Sequence, residues 1–567
     1  MRSVPTSFER GRAADSSVRS RAGGAAVLLL LALAAAPPLA LNAACGFAGA
    51  TDGAAGEQRP RRADGAAAGS TIDVAAGDDL QRAIERARPG DTINVEAGAA
   101  FEGPFTLTDK GAGEQFITIQ SSAAARHNPG TRVRPEQSPL MPKLLSAGRG
   151  ESAVRAGRGA HHWRLVGLEI AQRDAAAQVH DLVALGDGSA AQDDPGDVPH
   201  HLVIERCYIH AAADGQLKRG VALNSAATEI LDSHLSGFKL KGQDSSAVGG
   251  WNGPGPYRIV NNHIESAGVA VLFGGAAGGL RVVPSDIEFT RNTVTRPTEW
   301  RGVYTVKNLF ELKNARRVTV TGNLFEHNWV DAQAGYAVLF TPRPNDSGDS
   351  AVVEDISFTN NVVRGVAAAV NVIGSDSLYE RAPAEVRGRR IAIRNNLFLE
   401  VGGRWGGDGA FLKLGAGAES VSVDHNTVLH TGNVTKASGA ALTSFSFTNN
   451  LLAHNDYGVH GDDAAVGLGA INRYFPGSVW SRNAFVGAQP PAGPFADPES
   501  RYPPGNFFPR RWEDVKTLDR AAGDYRLAPE SPFRRRATDG KDIGCDLGEL
   551  LEKAGAPTLQ ALLSRAG

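Results

Sequence analysis

IAIRNNLF, residues Ile391 to Phe398, is one copy of a line that returns along the chain. Earlier copies are YRIVNNHI (Tyr257 to Ile264), IEFTRNTV (Ile287 to Val294), VTVTGNLF (Val318 to Phe325) and ISFTNNVV (Ile356 to Val363). Later ones are VSVDHNTV (Val421 to Val428) and FSFTNNLL (Phe445 to Leu452). Alternation at period two places Ile391 and Ile393 on one face of a strand, as it does Val421 and Val423. A polar pair, an Asn and a further apolar residue follow. The Asn falls at 262, 292, 323, 361, 396, 426 and 450, at separations of 24 to 38 residues, which is the range of a stacked solenoid unit. Asn tolerates bent backbone and bonds its neighbours, so it suits a turn within a coil. Stacked coils bring such side chains to about 4.8 Å from one another, and the row reads as a structural ladder of amide hydrogen bonds.

With these strands the sequence resembles the right-handed parallel β-helix repeat proteins, the pectate-lyase-like superfamily, over most of residues 70 to 545. The resemblance implies an all-β fold, a right-handed single-stranded parallel β-helix with a short N-terminal capping helix and an irregular C-terminal cap. It does not fix a reaction, because one fold hosts many functions.

The domain reading follows from the repeats. Residues 1–50 read as a signal peptide or N-terminal anchor: five Arg precede residue 25, then comes the apolar run Ala25 to Ala36, and Ala48-Gly49-Ala50 offers a small-x-small cleavage site. LNAAC, ending at Cys45, loosely resembles a lipoprotein signal, so a membrane enters only through a lipid anchor or an uncut signal. The expected location is therefore periplasmic, extracellular or cell-surface. Residues 51–70 read as a flexible linker, 71–488 as the parallel β-helix and 489–567 as the irregular cap. Asp78 to Arg88 reads as an amphipathic helix that covers the open end of the core, with Leu80, Ile84 and Ala87 on one side. Leu559 to Arg565 reads as a terminal helix and DYRLAPESP (Asp524 to Pro532) as a last strand. Three Cys exclude a disulfide framework, and Cys207 stands at a ladder position as a small buried residue. A formal net charge of −2 argues against a nucleic-acid partner.

A second apolar stretch accompanies each repeat: GVAVLFGG (Gly268 to Gly275), KNLFELKN (Lys307 to Asn314), GYAVLFTP (Gly335 to Pro342), AAVNVIG (Ala368 to Gly374) and GAFLKLG (Gly409 to Gly415). Alternation turns Leu272, Glu311, Leu339, Asn371 and Lys413 outward in a column, with Lys313 one step beyond Glu311. Such a strip suits a linear polymer, and the related polysaccharide lyases use the outward face of a parallel sheet as their groove. That resemblance implies abstraction of a proton beside a uronic carboxylate by a Lys or Arg, with the carboxylate neutralised by Arg or by a cation such as Ca2+. FELKNARRVTVTGN loosely resembles the Glu-and-Lys run of the chondroitinase-B and alginate-lyase-like family, although no calcium-ligand cluster stands beside it.

The catalytic candidates are Lys313 as base, Glu311 as its holder and Arg343 as the carboxylate partner. The substrate-binding candidates are Trp251, Asn371 and Lys413, and no metal ligand is assigned. The competing reading leaves these charges as a solvated strand face. Trp251, in the rigid loop WNGPGP, either stacks a sugar or folds back on the coil. Asp331 and Gln333 in WVDAQAG are drawn toward the same face, whereas His263, His327 and His425 read as turn or surface residues. Three functions stay open: an enzyme on polysaccharide (an acidic-polysaccharide lyase, or a glycosidase), a non-catalytic binder of a cell-surface glycan, and a structural cell-surface solenoid.

Overall fold

In the computed structural model of the chain, residues 69–148, 150–344, 351–376, 386–490 and 493–566 are described. The segment expected to be an export signal, Cys45 and most of the stretch expected to be a linker lie outside them. The repeats build a parallel β-helix whose coils each contribute a strand to three sheets, of 14, 13 and 12 parallel strands. Sheet A holds the first strand of each repeat, for example Gly388–Arg394. Sheet B holds the strand after the ladder Asn, for example Leu397–Val401, and sheet C the second apolar stretch, for example Leu412–Gly415.

Registers are in step from coil to coil: Ile356 pairs with Ile391 and Ile391 with Val421. Inward residues therefore stack on their own kind. Phe325 meets Phe289 and Phe358 with ring centroids 6.2 and 5.7 Å apart. Each fully buried Phe, Val or Ile contributes on the order of 1.5–3 kcal/mol, so the core needs no staples. Helix α1 (Leu80–Arg86) is capped by Asp79, and its Leu80, Ala83 and Ile84 join that core at the N-terminal end.

The ladder is longer than the repeated line suggested. Asn483 and Asn506 extend it, and Ser233 and Cys207 continue it toward the N-terminus. In its regular part, each Asn Oδ1 accepts both the backbone N–H and the Nδ2–H of the Asn one coil before. The Nδ2 of each also donates to a strand carbonyl of the previous coil, as Asn396 does to Phe358 at 2.9 Å. The sharp bend falls one residue earlier than the ladder Asn: Asn261, Arg291, Asn360, Asn395, His425 and Asn449 all have φ near +55°. Relieved of the bend, the Asn itself is free to bond.

After the last coil the chain lies back along the outer face of sheet B. Leu547, Leu550, Leu559 and Leu562 of α3 (Leu547–Ala554) and α4 (Leu559–Leu563) cover Leu324, Val362, Leu397 and Leu399. The strand Asp524–Leu527 pairs antiparallel with Thr517–Asp519 in a separate two-stranded sheet and adds nothing to the coil. Helix α2 (Leu468–Tyr474), unmarked by the repeat, packs on the last strands of sheet C.

Candidate functional site

The outward column of sheet C is assembled as alternation requires. Leu272 pairs with Glu311, Glu311 with Leu339, Leu339 with Asn371 and Asn371 with Lys413. Lys436 and His460 extend it by two coils. Neighbours in the column are one strand spacing apart, about 4.8 Å, so Lys413 stands about 14 Å along the axis from Glu311.

Glu311 is not a solvated surface charge. It is only 2 % exposed, and its Oε2 is buried without a hydrogen-bond partner. Lys313, also largely buried, places its Nζ 3.5 Å from Glu311 Oε1. Burial pushes the carboxyl of Glu311 above its usual range, against the pull of the ammonium groups of Lys313 and Lys307. A second pair, Lys307 with Asp244 at 2.6 Å, lies close enough to act on it.

The room for Lys313 comes from a glycine. A Cβ on Gly275, which has φ +81°, would lie 2.6 Å from Lys313 Cδ, so a side chain there would displace the lysine.

Arg343 is joined to Lys313 through the backbone, its N–H donating to the Lys313 carbonyl at 2.9 Å. Its guanidinium turns to the next coil and meets Asp376, Nε to Oδ2 3.5 Å. Lys313 and Arg343 thus share an edge of the sheet with their cationic ends differently engaged. Trp251 directly follows the strand Ser246–Gly250, two coils before Lys313 and in the same lateral position. Its ring folds onto the molecule, with Nε1–H donating to Gly188 O at 2.7 Å and the Arg219 guanidinium 4.6 Å from the ring centroid. Asp331 turns away to accept the Val306 N–H at 2.8 Å. His263 stacks on His234, His327 on Trp405, and His425 packs beside the Gly544 carbonyl.

Two groups escaped the sequence reading. Asp408 bonds Lys436 Nζ at 2.8 Å and meets the Tyr336 hydroxyl at 3.4 Å, beside an apolar patch of Tyr336, Leu339, Ala368 and Ala410. The signal for Lys436 lay in TKAS (Thr435–Ser438), one more second strand of the same alternation. Asn308, fully buried on the Glu311 strand, has an unpartnered Oδ1, as does Asn371.

These oxygens bear on the calcium that the resemblance implied. Ca2+ takes six to eight oxygen ligands, usually with several carboxylates. Here Glu311 is the one carboxylate of the column, and an ammonium already stands beside it. The donor set does not fit calcium.

No family model and no curated protein sequence matches the chain. Among solved structures it is similar to a mannuronic acid specific polysaccharide family 6 lyase from human gut microbiota. That likeness has 13 % identity, covers 77 % of this chain and 91 % of that chain, and has a TM-score of 0.43. It is also similar to the PL6 family alginate lyase AlyGC, at 14 % identity over 84 % of this chain and 58 % of that one, TM-score 0.49. A third is the Streptococcus pneumoniae surface protein and adhesin PfbA, at 10 % identity, 77 % and 97 % coverage and TM-score 0.36. Lyases and an adhesin thus stand side by side among the similar structures, and the chain itself is a parallel β-helix on the strength of its own three sheets.

Proposed function

We propose that the outer face of sheet C is a groove for an acidic polysaccharide, and that the protein is an exported lyase. The observation that carries this reading is the Glu311–Lys313 pair, a largely buried carboxylate and ammonium set between Leu272 and Leu339 in an otherwise apolar stretch of the column. Burying charge costs stability, and the attraction within a buried pair repays that cost only where the remaining polar atoms are hydrogen-bonded, which Glu311 Oε2 is not. A catalytic demand accounts for it better than folding does.

In this reading Lys313 first passes its proton to the buried Glu311 carboxylate, and the neutral Nζ then takes the proton from the carbon beside the uronic carboxylate. The electron pair left behind forms the ring double bond, the bond to the glycosidic oxygen breaks, and that oxygen receives a proton from the lysine. Glu311 holds Lys313 in place. Arg343, released from Asp376, pairs with the uronate, a match of planar fork to carboxylate. Lys413 and Asn371 bind sugars toward the C-terminal end, and Trp251, only half-buried, does so two coils toward the N-terminal end.

The test is to incubate the protein with pectate, alginate and glycosaminoglycans and follow unsaturated-product absorbance, then repeat with Lys313→Ala. Product formation lost in the variant supports the assignment, and activity that survives moves the base elsewhere. Binding without product would make the groove that of a non-catalytic glycan binder. Neither binding nor product on acidic and neutral glycans would leave a structural solenoid.

A further inference from the structure

Four histidines gather where sheet C passes into sheet A. The sequence holds two doublets, His161-His162 in GAHHWRL and His200-His201 in VPHHLVI. They begin adjacent strands, His161–Val166 and His200–Glu205, with His161 in register with His200. The rings stack coil on coil: His161 on His200 at 4.9 Å with planes 2° apart, and His162 on His201 at 4.6 Å with planes 5° apart. Within each doublet the two Nδ1 atoms face one another, at 2.8 Å for His161 and His162 and 2.7 Å for His200 and His201.

The coil does not require histidine there. His162 and His201 occupy a left-handed backbone position that recurs at the start of sheet A strands. Ala227, Asp286, Arg317, Asp355, Arg390 and Ser420 hold the same conformation in other coils. Such variety shows that shape alone is not what puts imidazole at this place twice in succession.

We propose that this tetrad binds a late first-row divalent cation, Cu2+, Ni2+ or Zn2+, with His162, His200 and His201 as the principal ligands and His161 as the fourth. Ligand nitrogens of those three all lie within 4.8 Å of one another. Two nitrogens about 2.0 Å from one metal are about 2.8 Å apart at a right angle and about 3.3 Å apart at the tetrahedral angle, so the facing Nδ1 pairs stand near the spacing of ligands on one ion. Imidazole ligands with no carboxylate among them select these metals over Ca2+ or Mg2+. Metal-bound histidines commonly have the other ring nitrogen held by a carboxylate, and His161 Nε2 lies 3.4 Å from Asp109 Oδ1. The ion would clamp two consecutive coils.

The test uses the full chain freed of metal with a chelator and titrated with Zn2+ or Ni2+ by calorimetry. Cu2+ loading is followed by electron paramagnetic resonance. The expected result is one ion per chain at micromolar affinity or tighter, nitrogen hyperfine coupling from three or more imidazoles, and a raised melting temperature in the loaded form. His201→Asn, at the most exposed position of the tetrad, is expected to weaken binding roughly a hundredfold while the metal-free melting temperature stays unchanged. His162→Asn combined with His201→Asn is expected to abolish binding. Stoichiometric binding that persists in the double variant, or wild-type binding no tighter than millimolar, overturns the proposal.

Discussion

Two side-chain columns run along the later coils of this solenoid, and they behave in opposite ways. Inside the turn from sheet A to sheet B, the ladder repeats one residue type from Asn262 to Asn506, and each amide between those ends is bonded to its neighbours above and below. On the outer face of sheet C, the column changes at each coil from Leu272 to Glu311, Leu339, Asn371 and Lys413, and it leaves Glu311 Oε2 and Asn371 Oδ1 without partners. Stacking a self-complementary amide satisfies both its oxygen and its nitrogen, so repetition is the stable solution for a buried polar column. A column that gives up repetition gives up that satisfaction, and places where it does so at some cost are the places to look for chemistry.

The largest expected effect tests the ladder. Asn396→Leu strands the N–H and Nδ2–H of Asn361 and the carbonyl of Phe358, all fully buried, and is expected to cost about 3–5 kcal/mol. A melting temperature equal to that of the wild type would remove the ladder from the stability of the fold.

Gly275→Ala sharpens the contrast from the other column. The added Cβ meets Lys313 and strains a left-handed φ, so a loss of about 1–2 kcal/mol is expected together with loss of any lyase activity. Full activity in a destabilised variant would separate Lys313 from the chemistry.

Glu311→Gln comes next, and its sign depends on pH. The folded-state pKa of Glu311 is raised, so its contribution to stability is full below the ordinary glutamate range and falls as pH rises through the folded value. The variant lacks that fall. It is expected to match the wild type near pH 4 and to exceed it by on the order of 1 kcal/mol at pH 8. Thermal melts across that interval check this, and a variant less stable at pH 8 would mean that the charged pair holds the strand together. The smallest effect is expected for Asn371→Leu, under about 0.5 kcal/mol, because an amide oxygen with no partner has no bond to lose. A loss as large as that of Asn396→Leu would erase the distinction between the columns.

What the sequence by itself determined is the part that depends on period. The seven copies around the ladder Asn gave the coil, the alternation of GVAVLFGG to GAFLKLG gave the outward column in its correct register, and Leu80, Ile84 and Ala87 on one side marked the first helix. Each of these is set by local geometry, two residues per side of a strand and one strand per sheet per coil, so a single chain read alone carries it. Only the tertiary structure decided that Glu311 is buried, that Arg343 turns to Asp376, that Trp251 lies against Gly188 and Arg219, and that the C-terminal helices cover sheet B. The two histidine doublets, 39 residues apart in sequence, became one cluster in the same way. Burial and side-chain direction depend on which irregular segments meet across coils, and those segments vary in length from repeat to repeat, so no period carries them.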